Sequence, residues 1–117
     1  MSDYYEHEIA RLRSEIHELS QLGSSISSAQ GRCSELNNRL SPVAANAHYA
    51  IGGGFSAQQQ QMISGITEAS SKLRTTQERL ADSAQSVRSE INNLEAEIHR
   101  LRQLQREEAA RRAAQRR

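Results

Sequence analysis

Two long stripes of apolar residues, separated by three consecutive glycines, constrain the fold of this 117-residue chain most strongly. In each stripe the apolar positions follow one another at alternating steps of three and four, which is the period typical of coiled coils. Gly52-Gly53-Gly54 lies between the stripes, and consecutive glycines are strong helix breakers. The sequence therefore predicts an all-α fold of two long helices joined by a glycine turn.

The composition argues against other fold classes and against several kinds of partner. The chain has 3% aromatic residues and few β-branched ones, whereas sandwiches and barrels need many of both. The net charge of +1 gives no reason to expect a nucleic-acid partner. No apolar stretch approaches the roughly 18 residues of a membrane span, and no signal peptide is recognisable. We expect a cytoplasmic protein without a membrane span, whose export, if it occurs, uses no cleaved signal peptide.

Helix-breaking residues set the predicted boundaries within a single domain over residues 1–117. Helix 1 covers about residues 3–50, with a break near 41–42 because Pro42 suits a helix start better than an interior. The turn covers 51–55, and helix 2 covers about 56–113. The predicted fold is an antiparallel two-helix coiled-coil hairpin. Because a two-helix seam is thin, we expect it to complete a four-helix bundle with a partner.

The predicted seam consists of aliphatic side chains and one cysteine, which we expect to be a small buried apolar residue. The seam residues are Ile9, Leu12, Ile16, Leu19, Leu22, Ile26, Cys33, Leu36, Leu40, Ile66, Leu73, Leu80, Val87, Ile91, Leu94, Ile98 and Leu101.

Charges beside the seam predict its register. If the chain folds back at Gly53, facing residues have numbers that sum to about 106. Opposite charges then face each other, and a slip of one heptad would bring like charges together or lose the pairs. The predicted pairs are Glu6/Arg100, Arg11/Glu95, Glu18/Arg88 and Glu35/Lys72.

The glycine turn and its flanks are the predicted partner-binding region. No Asp, Glu, Lys or Arg occurs from Ser41 through Thr67. Surfaces that meet a partner are depleted in charge and enriched in aromatic residues and Met. A flexible polar loop is the alternative interpretation of this stretch. The candidate docking residues are Tyr49, Ile51, Gly53, Phe55 and Met62.

No constellation of residues indicates catalysis, so we expect no enzyme activity, catalytic residue, cofactor or metal. The four His residues are scattered along the chain, and no phosphate-loop motif follows the glycines. Residues 100–117 carry seven Arg. Favourable interaction with the helix dipole explains such a segment, and an acidic partner, an anionic membrane or RNA stays open as an alternative.

The stretch from Tyr49 to Gln59, with Ile51-Gly52-Gly53 at its centre, resembles the turn of the Trp-x-Gly family of small helical hairpins. These are the ESX-type substrates and partners of type VII secretion, together with relatives that accompany LXG-type toxins. The chain has no Trp, and the family's Tyr-x-x-x-Asp/Glu signal is missing after the second helix. The resemblance implies a non-catalytic binding protein. It would pair with another helical protein or a toxin N-terminal domain, as a secreted partner or targeting chaperone.

Two other functions fit the same hairpin. A coiled-coil stalk or chaperone of a flagellar or type III-like export apparatus would bind through the charged end of the hairpin. A homo-oligomeric coiled-coil scaffold would form a stable bundle alone.

Overall fold

A computed structural model describes the backbone of residues 2–50 and 57–116 and the side chains of residues 3–46 and 57–116. Helix α1 spans Ser2–Ala50 and helix α2 spans Ala57–Gln115. The described residues contain no strand, and the helices pack against each other as a hairpin, which confirms the predicted all-α hairpin. The predicted turn at 51–55 lies outside the described residues. Neither described helix contains a stretch apolar enough to cross a membrane.

Helix α1 continues through Pro42, so the break predicted near 41–42 is absent. A proline in a helix interior has no N–H for the carbonyl four residues earlier, here that of Asn38. Pro42 and Asn38 are both exposed, so this carbonyl can bond to solvent. The cost of the lost hydrogen bond is thereby reduced, and the helix does not need to end.

The chain divides into two units, and the first comprises residues 1–24 and 85–117. Its core is a cluster of the buried residues Ile9, Leu12 and Leu101, and Ile9 is only 1% exposed. Half-buried apolar side chains pack against this cluster: Tyr5, Leu94 and Ile98. The alternation of three- and four-residue steps places these side chains on one face of each helix.

Specific contacts in the first unit fix the register of the two helices. A Cβ atom at Gly23 would lie 3.6 Å from Cγ1 of Val87, and these residue numbers sum to 110. The amide Nε2 of Gln105 donates a hydrogen bond to Oε1 of Glu6 at 2.8 Å, and these numbers sum to 111. The predicted sum of 106 is therefore wrong by about four residues. Apolar positions within a heptad pattern recur every three to four residues. A shift of one helix by this amount therefore still brings apolar residues opposite each other.

The predicted cross-helix charge pairs are also wrong. Every ion pair among the described residues joins side chains three or four positions apart in one helix. Arg11 contacts Glu8 and Glu15, and Arg100 contacts Glu97. Long exposed side chains find these partners on their own helix at little entropic cost. The pairs that do not form are Glu6/Arg100, Arg11/Glu95, Glu18/Arg88 and Glu35/Lys72.

The second unit comprises residues 25–84 and has a smaller core. Only Ile26 and Cys33 are buried among its described side chains. The other aliphatic residues of its seam are half-buried at most: Leu40, Ile66, Leu73 and Leu80. Fewer of its described apolar side chains are buried than in the first unit, where Ile9, Leu12, Val87 and Leu101 are buried.

Two predicted seam residues, Leu22 and Leu36, are instead exposed, at 50% and 54%. Leu22 lies six residues after Ile16, whereas Gly23 lies seven residues after it and so occupies the same heptad position as Ile16. One residue corresponds to about 100° around a helix, so Gly23 takes the inward position and Leu22 turns outward. Leu36 likewise borders the seam rather than filling it.

The remaining predicted seam residues are at least half-buried. Those buried are Ile9, Leu12, Ile26, Cys33, Val87 and Leu101. Those half-buried are Ile16, Leu19, Leu40, Ile66, Leu73, Leu80, Ile91, Leu94 and Ile98.

Candidate partner-binding surface

Most of the docking residues predicted near the glycine turn lie outside the described part of the chain. Ile51, Gly53 and Phe55 are outside it, and for Tyr49 only the backbone within α1 is described. Met62 is described, and its side chain is 68% exposed in the first turns of α2. Docking at the turn therefore stays a prediction.

Exposed apolar side chains extend along α1 at a spacing that sequence reasoning missed. Leu22, Ala29, Leu36 and Val43 follow one another at intervals of seven residues, so they occupy the same heptad position. Leu22, Leu36 and Val43 are large side chains exposed by about half, and Ala29 is half-buried. The seven-residue spacing is the available signal, but the apolar stripe of the sequence predicts Leu22 and Leu36 in the seam.

In the second unit, one member of this row, Leu36, lines an open groove of about 340 Å³. Leu36 and Leu40 line it from α1, and Ala69 and Leu73 line it from α2. The small side chain of Ala69 leaves room beside Leu36, which explains why the leucine is not covered. Arg39 also lines the groove, but its guanidinium pairs with Glu35 at 2.9 Å. The groove therefore presents an apolar floor without an uncompensated charge among its lining residues.

A second groove, of about 330 Å³, lies in the first unit between Tyr5 and the last turns of α2. Tyr5 packs edge-on against Tyr4, with ring centroids 5.5 Å apart. Burial of the phenol, together with the neighbouring carboxylate of Glu108, raises the pKa of Tyr5. Glu108 also pairs with Arg112 at 2.7 Å. The lining residues thus interact with one another, and the groove that they form is open and partly charged.

Ion pairs within single helices lower the pKa of two carboxyl groups in this unit, those of Glu8 and Glu97. A hydrogen bond from Arg11 lowers the pKa of Glu8, and one from Arg100 lowers the pKa of Glu97. Both carboxylates are therefore ionised at neutral pH, and each is compensated locally.

The remaining candidates for chemistry do not converge on a site within the described residues. Cys33 is a buried free thiol. Among residues 3–46 and 57–116, no group of three His, Cys, Asp or Glu side chains is arranged to hold a metal ion. In the basic segment, the Arg side chains from Arg106 to Arg116 are all exposed, and Arg112 pairs with Glu108.

Comparisons with models of protein families, with curated proteins and with solved structures gave no significant match. The resemblance of the glycine turn to the Trp-x-Gly family therefore rests on the sequence residues alone.

Proposed function

We propose that this protein is a non-catalytic helical-hairpin binding protein that associates with the helices of another chain in a four-helix bundle. The observation that carries the proposal is the weak core of the second unit. Ile26 and Cys33 are its only buried described residues, while Leu36, Val43 and Met62 are about half or more exposed. A two-stranded seam of this kind supplies little stability, and exposed apolar patches of this kind mark interaction surfaces.

The biological context that best fits this role is export. By its resemblance to the Trp-x-Gly family, the hairpin would be a secreted partner or targeting chaperone of a type VII, ESX- or LXG-like system. It would bind another helical protein or the N-terminal domain of a toxin and present it to the secretion machinery. Residence in the cytoplasm, and export without a cleaved signal peptide, follow from the same proposal.

The glycine turn is the part of the chain proposed to contact that partner. Its aromatic and aliphatic residues exceed what the seam requires, and no charge from Ser41 through Thr67 opposes burial against an apolar surface. Met62 adds an exposed, adaptable side chain at the start of α2.

A pull-down from the native host with tagged protein tests this role, with Ile51→Asp and Phe55→Asp as the interface variants. Gln60→Asp is the matched control, because it adds the same charge at an exposed position of the same uncharged stretch. We expect wild type and the control to capture a second helical protein, and the two interface variants to lose it. Circular dichroism should show unchanged helicity in all four proteins.

Three results would contradict the proposal. Loss of helicity in the Ile51 and Phe55 variants would make these residues part of the core. A partner that is lost only after substitution of the exposed Arg residues at 106–116 would favour a stalk or chaperone that binds through its charged end. A stable oligomer that captures no other protein would favour a scaffold.

A further inference from the structure

Polar residues interrupt the seam of the second unit. In the observed register, residues that face each other across the seam have numbers that sum to about 110. Leu40 and Ala69 line the same groove and have a sum of 109, so this register applies to the second unit as well. Four successive facing pairs of the first unit combine aliphatic side chains that are all buried or half-buried: Ile9/Leu101, Leu12/Ile98, Ile16/Leu94 and Leu19/Ile91.

Three facing pairs of the second unit instead contain one polar residue each: Gln30/Leu80, Cys33/Gln77 and Leu40/Ser70. The side chains of Gln30, Ser70 and Gln77 are half-buried, and none of them forms a hydrogen bond with another described residue. Since no polar side-chain atom of the described residues is buried without a partner, these polar groups reach solvent. A seam that keeps polar groups in contact with water gains less stability from apolar burial.

The backbone of the second unit lacks stabilising features as well. Pro42 leaves the carbonyl of Asn38 without its helical hydrogen bond. Gly31 and Gly65 are poor helix formers inside α1 and α2. Neither glycine is required for close packing of the helices, because a Cβ atom at either position would meet no atom within 4 Å. These positions all lie within residues 25–84, so their cost falls on the helices of the second unit.

The buried core is also divided unequally between the two units. In the first unit, Ile9, Leu12 and Leu101 are no more than 3% exposed, and three half-buried apolar side chains pack against them. In the second unit, the buried described residues are Ile26 and Cys33, and each is 8% exposed. Local opening costs the least free energy where few apolar side chains are buried. The second unit should therefore open at a lower free energy than the first.

We infer that the second unit is a conformational device that opens cooperatively while the first unit stays closed. In the opened state, α1 and α2 separate within residues 25–84, and the first unit keeps the two helices together. Opening exposes the leucines of this part of the seam to the helices of another chain: Leu40, Leu73 and Leu80. The inference goes beyond the proposed function, because the opening is a property of this chain alone and needs no partner.

Cys33 provides a probe of this opening in the wild-type chain. It is the only cysteine of the sequence, its thiol is free, and the residue is 8% exposed. Val87→Cys in a Cys33→Ala background provides the matched probe in the first unit, because Val87 is also 8% exposed. The measurement is the rate at which a soluble aromatic disulfide reagent labels each thiol, divided by the rate for the same protein unfolded in guanidinium chloride. Where labelling is slower than reclosing, this ratio is the opened fraction.

We expect the opened fraction at Cys33 to exceed that at the Val87→Cys thiol by roughly 10-fold or more. Two matched core substitutions identify the unit that opens. Ile26→Val, in the second unit, should raise the opened fraction at Cys33 by roughly 5-fold, whereas Ile9→Val, in the first unit, should leave it unchanged. Equal opened fractions at the two thiols, or an equal effect of both substitutions on Cys33, would show that the hairpin opens only as a whole and would overturn the inference.

Backbone hydrogen exchange of the wild-type chain keeps the test decisive if a variant fails to fold. After correction for intrinsic rates, the amides of residues 30–40 and 66–80 should exchange roughly 10-fold faster or more than those of residues 9–19. Their exchange should also depend less on urea, because a partial opening exposes less surface than global unfolding. Gln30→Leu should slow exchange in the two faster segments, and Gln60→Leu, the same change at an exposed position, should not. Uniform protection, or equal effects of the two variants, would contradict the inference.

Discussion

Replacing Gly23 by Ala should stabilise the hairpin, because the structure places this residue in the seam facing Val87. A Cβ atom there would lie 3.6 Å from Cγ1 of Val87, which is ordinary van der Waals contact. The change from Gly to Ala inside a helix is worth about 1 kcal/mol. Partial burial of the new methyl group adds up to about 0.8 kcal/mol. We therefore expect the free energy of unfolding to rise by about 1–2 kcal/mol.

Gly31 provides the control for this prediction. It lies in the same helix, it is exposed, and a Cβ atom there would meet no atom within 4 Å. Gly31→Ala should therefore give only the helix-propensity gain of about 1 kcal/mol. Urea unfolding followed by circular dichroism, at one fixed protein concentration, measures both changes.

A double-mutant cycle isolates the contact across the seam. In a Val87→Ala background, the extra gain of Gly23→Ala over Gly31→Ala should disappear, because its partner has been removed. If Gly23→Ala gives no more than Gly31→Ala in the wild-type background, then Gly23 does not face Val87 and the assigned register is incorrect. A net destabilisation would show that the seam has no room for the methyl group.

Three further predictions follow from burial, helix continuity and titration. Ile9→Ala should lower the free energy of unfolding by about 2–5 kcal/mol. Leu22→Ala should lower it clearly less, because that side chain is 50% exposed. Equal losses in urea unfolding would place Leu22 in the core. Pro42→Ala should raise the free energy of unfolding by up to about 3 kcal/mol, and no gain would argue for a helix break at that point. The pKa of the Tyr5 phenol is raised in the folded state. The stability that this group contributes is therefore complete below its unfolded-state pKa near 10.0 and is lost as the pH rises through its folded-state pKa. Tyr5→Phe should therefore reduce the loss of melting temperature at alkaline pH, and an unchanged alkaline profile would show that Tyr5 does not contribute to it.

The hairpin could be predicted from sequence because two long-range features agree. Stripes of period 3.5 specify helices that bury one face, and the glycines from Gly52 to Gly54 separate the two stripes. The register could not be predicted in the same way. A stripe that repeats every three to four residues matches its partner equally well after a slip of one layer. Exposed charges did not resolve the choice, because Arg11 and Arg100 pair within their own helices.

The candidate surface was missed because glycine contributes no apolar side chain to a stripe. At the heptad step after Ile16, the inward position belongs to Gly23, and a reading of apolar residues alone selects Leu22 instead. The sequence pattern places Leu36 in the seam because it continues the apolar stripe three residues after Cys33. Apolar residues that flank a seam resemble seam residues in sequence. Only the exposure of Leu36 and Val43 in the folded chain distinguishes them.

The register of the two helices is the central claim about how the hairpin packs, and disulfide trapping tests it most directly. In a Cys33→Ala background, Val87→Cys is combined either with Gly23→Cys or with Leu19→Cys. The contact at Gly23 is within reach of disulfide geometry. The account predicts a rapid disulfide within one chain for the Gly23 pair, detected by mass spectrometry. Faster closure of the Leu19 pair, whose numbers sum to 106, would contradict this register.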